Sequence, residues 1–444
     1  MLSNRLPARH SARLPSIAAI AVAAFLLPGG ASAQEIDTGD TAWMLTSTAL
    51  VLFMTLPGLA LFYAGLVHTR NVMSVLMHVV AIACVASVLW FIFGYGLAFG
   101  EGNAWIGSLD RAFLRGMTTE SVVEKMPESV FFMYQMTFAI ITPCLIVGAY
   151  VERIRFSAVL VFNALWLLIV YFPVAHWVWG AGGWLFGEGP RAEGGIRDFA
   201  GGLVVHTTAG VSAIVMAVLL RNRHGFPQEI KPPHMPGLAV MGAAMLWVGW
   251  FGFNAGSALA SGQGAGMAMT ATHLAAATAS LVWMGIEWMR HGKASVVGIV
   301  TGTIAGLATV TPASGFIGPM GGFLIGIAAG VVCYFVTQFV KQRLRIDDSL
   351  DVFAVHGAGG MLGVLLTSFL ASPTFQGLGF AENMTAASHF VVQLKGVVIV
   401  AAWSAVATWV LVKVTQALVG LRVSKEEEYE GLDITAHGER AYDL

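Results

Sequence analysis

Apolar stretches of about 20 residues recur along nearly the whole 444-residue chain, each long enough to cross ~30 Å of hydrocarbon as a helix. Lipid supplies no hydrogen bonds, so a spanning segment must satisfy its own backbone, and unbroken apolar runs of this length do so as α-helices. Eleven spans follow: residues 42–67, 72–99, 129–151, 157–179, 199–220, 236–260, 266–290, 294–312, 319–340, 352–372 and 388–421. The fold class is therefore an all-α polytopic membrane protein surrounded by lipid. Only 11% of residues are charged, against about 25% in soluble domains, which leaves no room for a large soluble domain. The formal net charge of −1 gives no reason to expect a nucleic-acid partner.

The N-terminus differs from the rest. Arg5, Arg9 and Arg13 precede the short run "SIAAIAVAAFLLPGG" and then "ASA" at 31–33, the three parts of a secretory signal with cleavage expected after Ala33. This divides the chain into a signal (1–33), a membrane domain (34–421) and a polar tail (422–444). An odd number of spans puts the mature ends on opposite sides. One alternate set of connections, with the tail, holds 14 Lys and Arg and the other set 5, so the positive-inside rule places the tail in the cytoplasm and the mature N-terminus outside.

The chain echoes itself. "VVHTTAG" at 204–210 and "AVHGAGG" at 354–360 each place His after Val and Gly four positions later, near the start of a span, with an acid upstream, Asp198 or Asp351. Those are the fifth and tenth spans. Five helices followed by five more would set the two halves in opposite orientations, as in inverted repeats. The eleventh is then an extra C-terminal helix wrapping the outside.

An ionisable group within a span is costly and usually faces a cavity, a pathway or a partner, which makes His206 and His356 the leading candidates. His78 and His273 lack the repeated context and are expected to be neutral residues hydrogen-bonded between helices. His176 lies near a span end and His389 near a span start. Asp198 cannot form a hydrolytic dyad with His206: eight residues of helix mean a rise of ~12 Å and a rotation of ~80°. It suits the N-cap of the fifth span instead. No hydrolase or phosphate-binding signature accompanies the pair, so neither an enzyme nor a cofactor is expected. Cys84, Cys144 and Cys333 lie in apolar runs without metal-ligand spacing and are expected to be packed thiols, with no metal site. Trp179 ends the fourth span, Tyr134 and Phe138 are one turn apart in the third, and "WVGWFGFNAGS" places Trp250, Phe253, Asn254 and Ser257 in the sixth. Spacing alone makes these ordinary core residues.

Six stretches in order, "FAIITPCLIVGAYVERIRFSAVL", "AHWVWG", "DFAGGLVVH", "WVGWFGFNAGSA", "DDSLDVFAVHGAGG" and "EGLDITAHGERAY", resemble the ammonium transporters of the Amt/Mep/Rh family on its bacterial Amt side, over residues from about 40 to 444. The resemblance implies a homotrimer in the inner membrane, each subunit with its own pore for ammonium or ammonia. It implies an outer recruitment site of Phe138, Trp179 and Ser257, and a gate of Phe138 and Phe253. His206 and His356 would form a twin-histidine pore and proton relay, supported by Asp198, with Trp250 and Tyr134 lining nearby. Tyr134 stands where the family often has phenylalanine. The tail would dock a PII-type nitrogen-signalling protein. A sensor with the same fold and an Rh-type channel for neutral gas are the alternatives; a cation-recruiting Trp179 and Ser257 argue against the second.

Overall fold

Most of the described residues are helical, because a helix lets an apolar segment satisfy its own backbone in lipid. The computed structural model describes residues 35–186, 195–229, 232–382 and 384–443; the expected signal at 1–33 lies outside them. Ten described helices are long and apolar enough to span a membrane: α1 (Thr38–Leu66), α2 (Thr69–Phe99), α3 (Glu128–Tyr150), α4 (Phe156–Trp179), α5 (Gly202–Leu220), α6 (Pro236–Gly256), α7 (Gln263–His291), α9 (Pro319–Leu344), α10 (Phe353–Leu370) and α11 (Ala386–Val419). The remaining expected span is the shorter apolar helix α8 (Val296–Val310). Its 15 residues rise only about 22 Å, and the buried turns of residues 311–316 continue it.

Helices α1–α5 and α6–α10 form two halves that run through the bundle in opposite directions. They meet where α5 crosses α10. A Cβ on Gly210 would collide with the backbone of Gly357, and one on Gly360 would press on the His206 Cβ at 2.6 Å, so glycine here sets how closely the halves approach. Six of the spans contain a wide π-helical turn. The turns in α5 (Gly202–Thr207) and α10 (Phe353–Ala358) are the ones that carry His206 and His356. Such turns rotate the following helix and often mark functional sites. Helix α11 packs on α4, α5 and α10, and leaves Val398, Val406 and Leu418 on its outer face. Its 34 residues measure about 51 Å along the axis, more than the ~30 Å of hydrocarbon a span must cross.

The tail is docked rather than solvated. It forms two short helices, α12 (Lys425–Glu430) and α13 (Leu432–His437). Asp433 Oδ1 accepts the Ser74 N–H at 2.8 Å and Asn71 Oδ1 accepts the Leu432 N–H at 2.9 Å, so a residue some 360 positions away caps the start of α2. Glu428 holds Arg422 at 2.7 Å and accepts the His224 N–H.

Above the tail, an ion network ties together the ends of α3, α5 and α9. Arg223 forks onto both oxygens of Asp347 at 2.9 Å and reaches Glu152 at 2.6 Å, while Glu152 also contacts His68 at 2.7 Å. Arg153, fully buried, donates to Ser349 Oγ and to the Asp347, Ala149 and Arg221 carbonyls. Burial works against ionising Asp347, but the Arg223 and Arg153 charges win and hold its carboxyl below the usual range. At Glu152 burial is likewise overcome, by the His68 hydrogen bond and the Arg223 charge. Such a network is costly to break at one member, because the remaining charge stays buried.

Two expectations about single residues are corrected. Cys84 is exposed on the outward face of α2 rather than packed, while Cys144 and Cys333 are buried; all three thiols are free. His273 also lies exposed, on the face of α7 against the Trp247 ring at 5.2 Å, instead of between helices of its own chain. His78 is buried as expected, stacked on Phe156 with Ser74 Oγ at 3.5 Å.

Candidate functional site: a file of rings ending in a histidine pair

The end of the bundle remote from the tail carries Trp179, the last residue of α4, where Gly180 turns the chain away from the helix. Its indole Nε1 donates to the Asp198 carbonyl at 2.9 Å. Its ring stands edge-on to Phe138, with centroids 5.8 Å apart. From there the rings succeed one another inward. Phe138 meets Phe253 at 4.4 Å, Phe253 meets His206 at 6.0 Å, and His206 meets His356 at 5.2 Å. Tyr134 flanks Phe138 at 5.0 Å, and Trp250 stacks on His206 at 5.6 Å. Five helices thus place seven of the nine residues singled out in the sequence in one continuous file. Ser257 is joined to it through Tyr134, whose hydroxyl lies 3.2 Å from Ser257 Oγ.

The two histidines are 1% and 4% exposed, and their Nδ1 atoms are 3.2 Å apart. A hydrogen bond between two Nδ1 atoms needs one donor and one acceptor, so the neutral pair must hold one Nδ1–H and one bare Nδ1, which couples their tautomers. His206 Nε2 is buried without a protein partner. Trp250 Nε1 donates to Thr311 Oγ1 at 2.9 Å, which fixes the indole that stacks on the pair.

Asp198 does what an N-cap does, and more. Its Oδ1 accepts the Gly201 and Gly202 N–H groups and its Oδ2 those of Leu203 and Val204, at up to 3.1 Å. One carboxylate therefore satisfies all the orphan donors of the first turn of α5. Gly201, at φ +119°, makes the bend that allows it.

The acid matching Asp198 in the second half is Asp348, not Asp351. Asp348 Oδ2 accepts the Phe353 N–H at 2.7 Å, whereas Asp351 pairs with Lys341 at 2.7 Å. Asp348 precedes His356 by eight residues, as Asp198 precedes His206. That spacing was the signal in the sequence that identifies it. Asn254, though beside Phe253, turns away and binds Thr272 at 2.9 Å. His176 contacts the Ala98 and Asn103 carbonyls and His389 is buried in α11; neither joins the file. Thr311 was missed, since nothing near it in sequence marks it.

On the tail side His356 borders a cavity of about 330 Å³ whose mouth holds His68, Glu152, Arg223 and Asp351. Tyr429 of α12 lies at this mouth, with the Arg70 guanidinium 5.4 Å from its ring. Among the described residues, no group of three or more His, Cys, Asp or Glu side chains is placed to hold a metal ion.

Residues 42–442 match the Ammonium Transporter Family. The ammonium transporter of Aquifex aeolicus is 43% identical over 417 residues, covering 93% of this chain and 96% of its own. Among solved structures, Candida albicans Mep2 superposes with a TM-score of 0.80 at 34% identity over 88% of each chain. A protein described as a sensor Amt superposes with a TM-score of 0.82 at 27% identity over 90% of this chain and 98% of its own. The opposed halves, the extra helix and the match across nearly the full membrane region agree: this chain is a multi-pass membrane protein of the ammonium transporter family, and ammonium is its cargo.

Proposed function

We propose that the file of rings recruits ammonium, strips a proton from it, and passes ammonia and the proton onward separately. Ammonium and potassium are close in charge and size, so binding alone separates them poorly. The faces of Trp179 and Phe138 with the hydroxyl of Ser257 attract a partly desolvated cation by ~1–2 kcal/mol. This concentrates ammonium without rejecting potassium. Beyond the Phe138 and Phe253 gate, an intact ion in an apolar conduit costs several kcal/mol or more. Ammonium can escape that cost by leaving its proton behind; potassium has nothing to leave.

The observation that carries this function is the buried Nδ1–Nδ1 contact of His206 and His356 at 3.2 Å, directly below the gate. With His206 as the Nδ1–H tautomer, a proton taken up at its bare Nε2 lets Nδ1–H pass to His356 Nδ1, and His356 releases Nε2–H toward the tail-side cavity. A tautomer exchange resets the pair. Asp198 supports the site by holding the first turn of α5, and Trp250 and Tyr134 set the walls around it.

The test is current from purified protein in proteoliposomes under an ammonium gradient, with methylammonium and potassium compared. Steady current with ammonium and none with potassium is expected. Equal currents for both ions would remove the separation step.

The remaining parts follow the family. The protein acts as a homotrimer in the inner membrane, with the mature N-terminus outside and the tail in the cytoplasm. Support for association comes from the outward faces of α6 and α7, where His273, a polar ring in a spanning helix, is exposed, as are Met241 of α6 and Leu281 of α7. The tail offers a docked, charged surface for a PII-type protein, with Tyr429 72% exposed on it. Deleting residues 423–444 is expected to abolish co-purification of PII; undiminished co-purification would reject this partner site.

A further inference from the structure

Helix α6 ends at Gly256, and its last turn loses the regular backbone pattern. The Ser257 N–H bends to Asn254 O at 3.2 Å, which leaves Phe253 O without its usual partner. Two hydroxyls reach that carbonyl instead: Ser257 Oγ at 2.8 Å and Tyr134 Oη at 3.0 Å. Tyr134 Oη also lies 3.0 Å from Gly252 O and 3.2 Å from Ser257 Oγ.

Proton counting orders this cluster. Carbonyl oxygens only accept, so two of the three partners of the Tyr134 hydroxyl require its proton, and it donates to the backbone. Its oxygen keeps lone pairs facing Ser257. The Ser257 proton then has two acceptors, Phe253 O and Tyr134 Oη. Both belong to buried residues, at 0% and 1% exposure, while Ser257 itself is only half-buried. Whichever acceptor it uses, the Ser257 proton points to a buried atom and its lone pairs are left for the unburied side of the residue.

We propose that Tyr134 is a positioning residue for recruitment: its buried hydroxyl presents Ser257 as a fixed hydrogen-bond acceptor. This rests on the recruitment role given to Ser257 above. Ammonium carries only donors, so it gains from an oriented lone pair; ammonia, with a lone pair of its own, gains equally from a hydroxyl turned outward. An oriented Ser257 therefore favours the charged form at the entrance. Tyr134→Phe keeps the ring against Phe138 and removes only this control, after which the Ser257 hydroxyl has one inward acceptor fewer and its rotation is freer.

Current against ammonium concentration in proteoliposomes, for wild type, Tyr134→Phe, Ser257→Ala and the double variant, tests it. Tyr134→Phe is expected to raise half-saturation about five-fold while the maximal current stays within about two-fold, in line with the loss of one oriented hydrogen bond. The double variant is expected to half-saturate no higher than Ser257→Ala, because both act through one oxygen. If Ser257→Ala shifts half-saturation but Tyr134→Phe does not, or if the two effects add, the Tyr134 role is overturned and recruitment by Ser257 stands. A drop in maximal current alone in Tyr134→Phe also overturns it, as a general effect on the gate. If Ser257→Ala changes nothing, the recruitment role fails and the Tyr134 proposal with it.

Discussion

His206→Ala is expected to cut the ammonium current in proteoliposomes at least about ten-fold, a conservative share of what a positioned proton-transfer group contributes. The substitution acts twice. It removes the ring that takes the proton and passes it to His356 across 3.2 Å. It also removes the surface on which Trp250 and Phe253 stack, at 5.6 and 6.0 Å, and so opens a gap beside polar Thr311 that water can enter. A hydrated gap lowers the cost of an intact ion, so the residual conductance should no longer distinguish ammonium from potassium. Recording both ions on the same vesicles decides the matter: a variant with wild-type current and wild-type selectivity would mean that the pair moves no proton.

Asp198 carries the second large effect, and it is one of stability. Its carboxylate accepts four main-chain N–H groups with the residue fully buried. Asp198→Ala leaves those donors without partners at about 1–3 kcal/mol each before relaxation. A fall in the unfolding midpoint on the order of 10 °C in detergent follows from that range. Asp198→Asn should fall between, because its one carbonyl oxygen can serve two of the four donors while its amide faces the others donor to donor. Tryptophan fluorescence on heating reads the order wild type, Asn, Ala. An alanine variant that melts with the wild type would show that α5 does not depend on this cap.

Membership of the family accounts for the fold at once, but the same features were visible to different degrees in the chain itself. The spans were legible because each is a long apolar run, and their ends moved by only a few residues; α1 begins at Thr38 where residue 42 was expected. The wide turns were not legible. A π-helical turn leaves the apolar pattern intact, and nothing in "GLVVHT" or "FAVHGA" distinguishes it from regular helix. The histidines were legible because an ionisable group stands out in an apolar run, doubly so when the context repeats. The acid of the second half was misassigned to Asp351, since three acids crowd residues 347–351; the eight-residue spacing to His356 marks Asp348, and the contacts show Asp348 capping α10 while Asp351 binds Lys341.

Sequence by itself determined that this protein spans a membrane many times and which polar residues are out of place in lipid, because hydropathy and charge are properties of single residues and short runs. Only the tertiary structure decided that Trp179, Phe138, Phe253, His206 and His356 form one file. Those residues come from α3, α4, α5, α6 and α10, and no local rule brings them together. Contact across the two halves depends on how closely Gly210 and Gly357 let α5 and α10 approach, and on the turn that aims each imidazole inward. Packing between distant segments is a property of pairs of surfaces, and a single strand of letters does not state which surfaces meet.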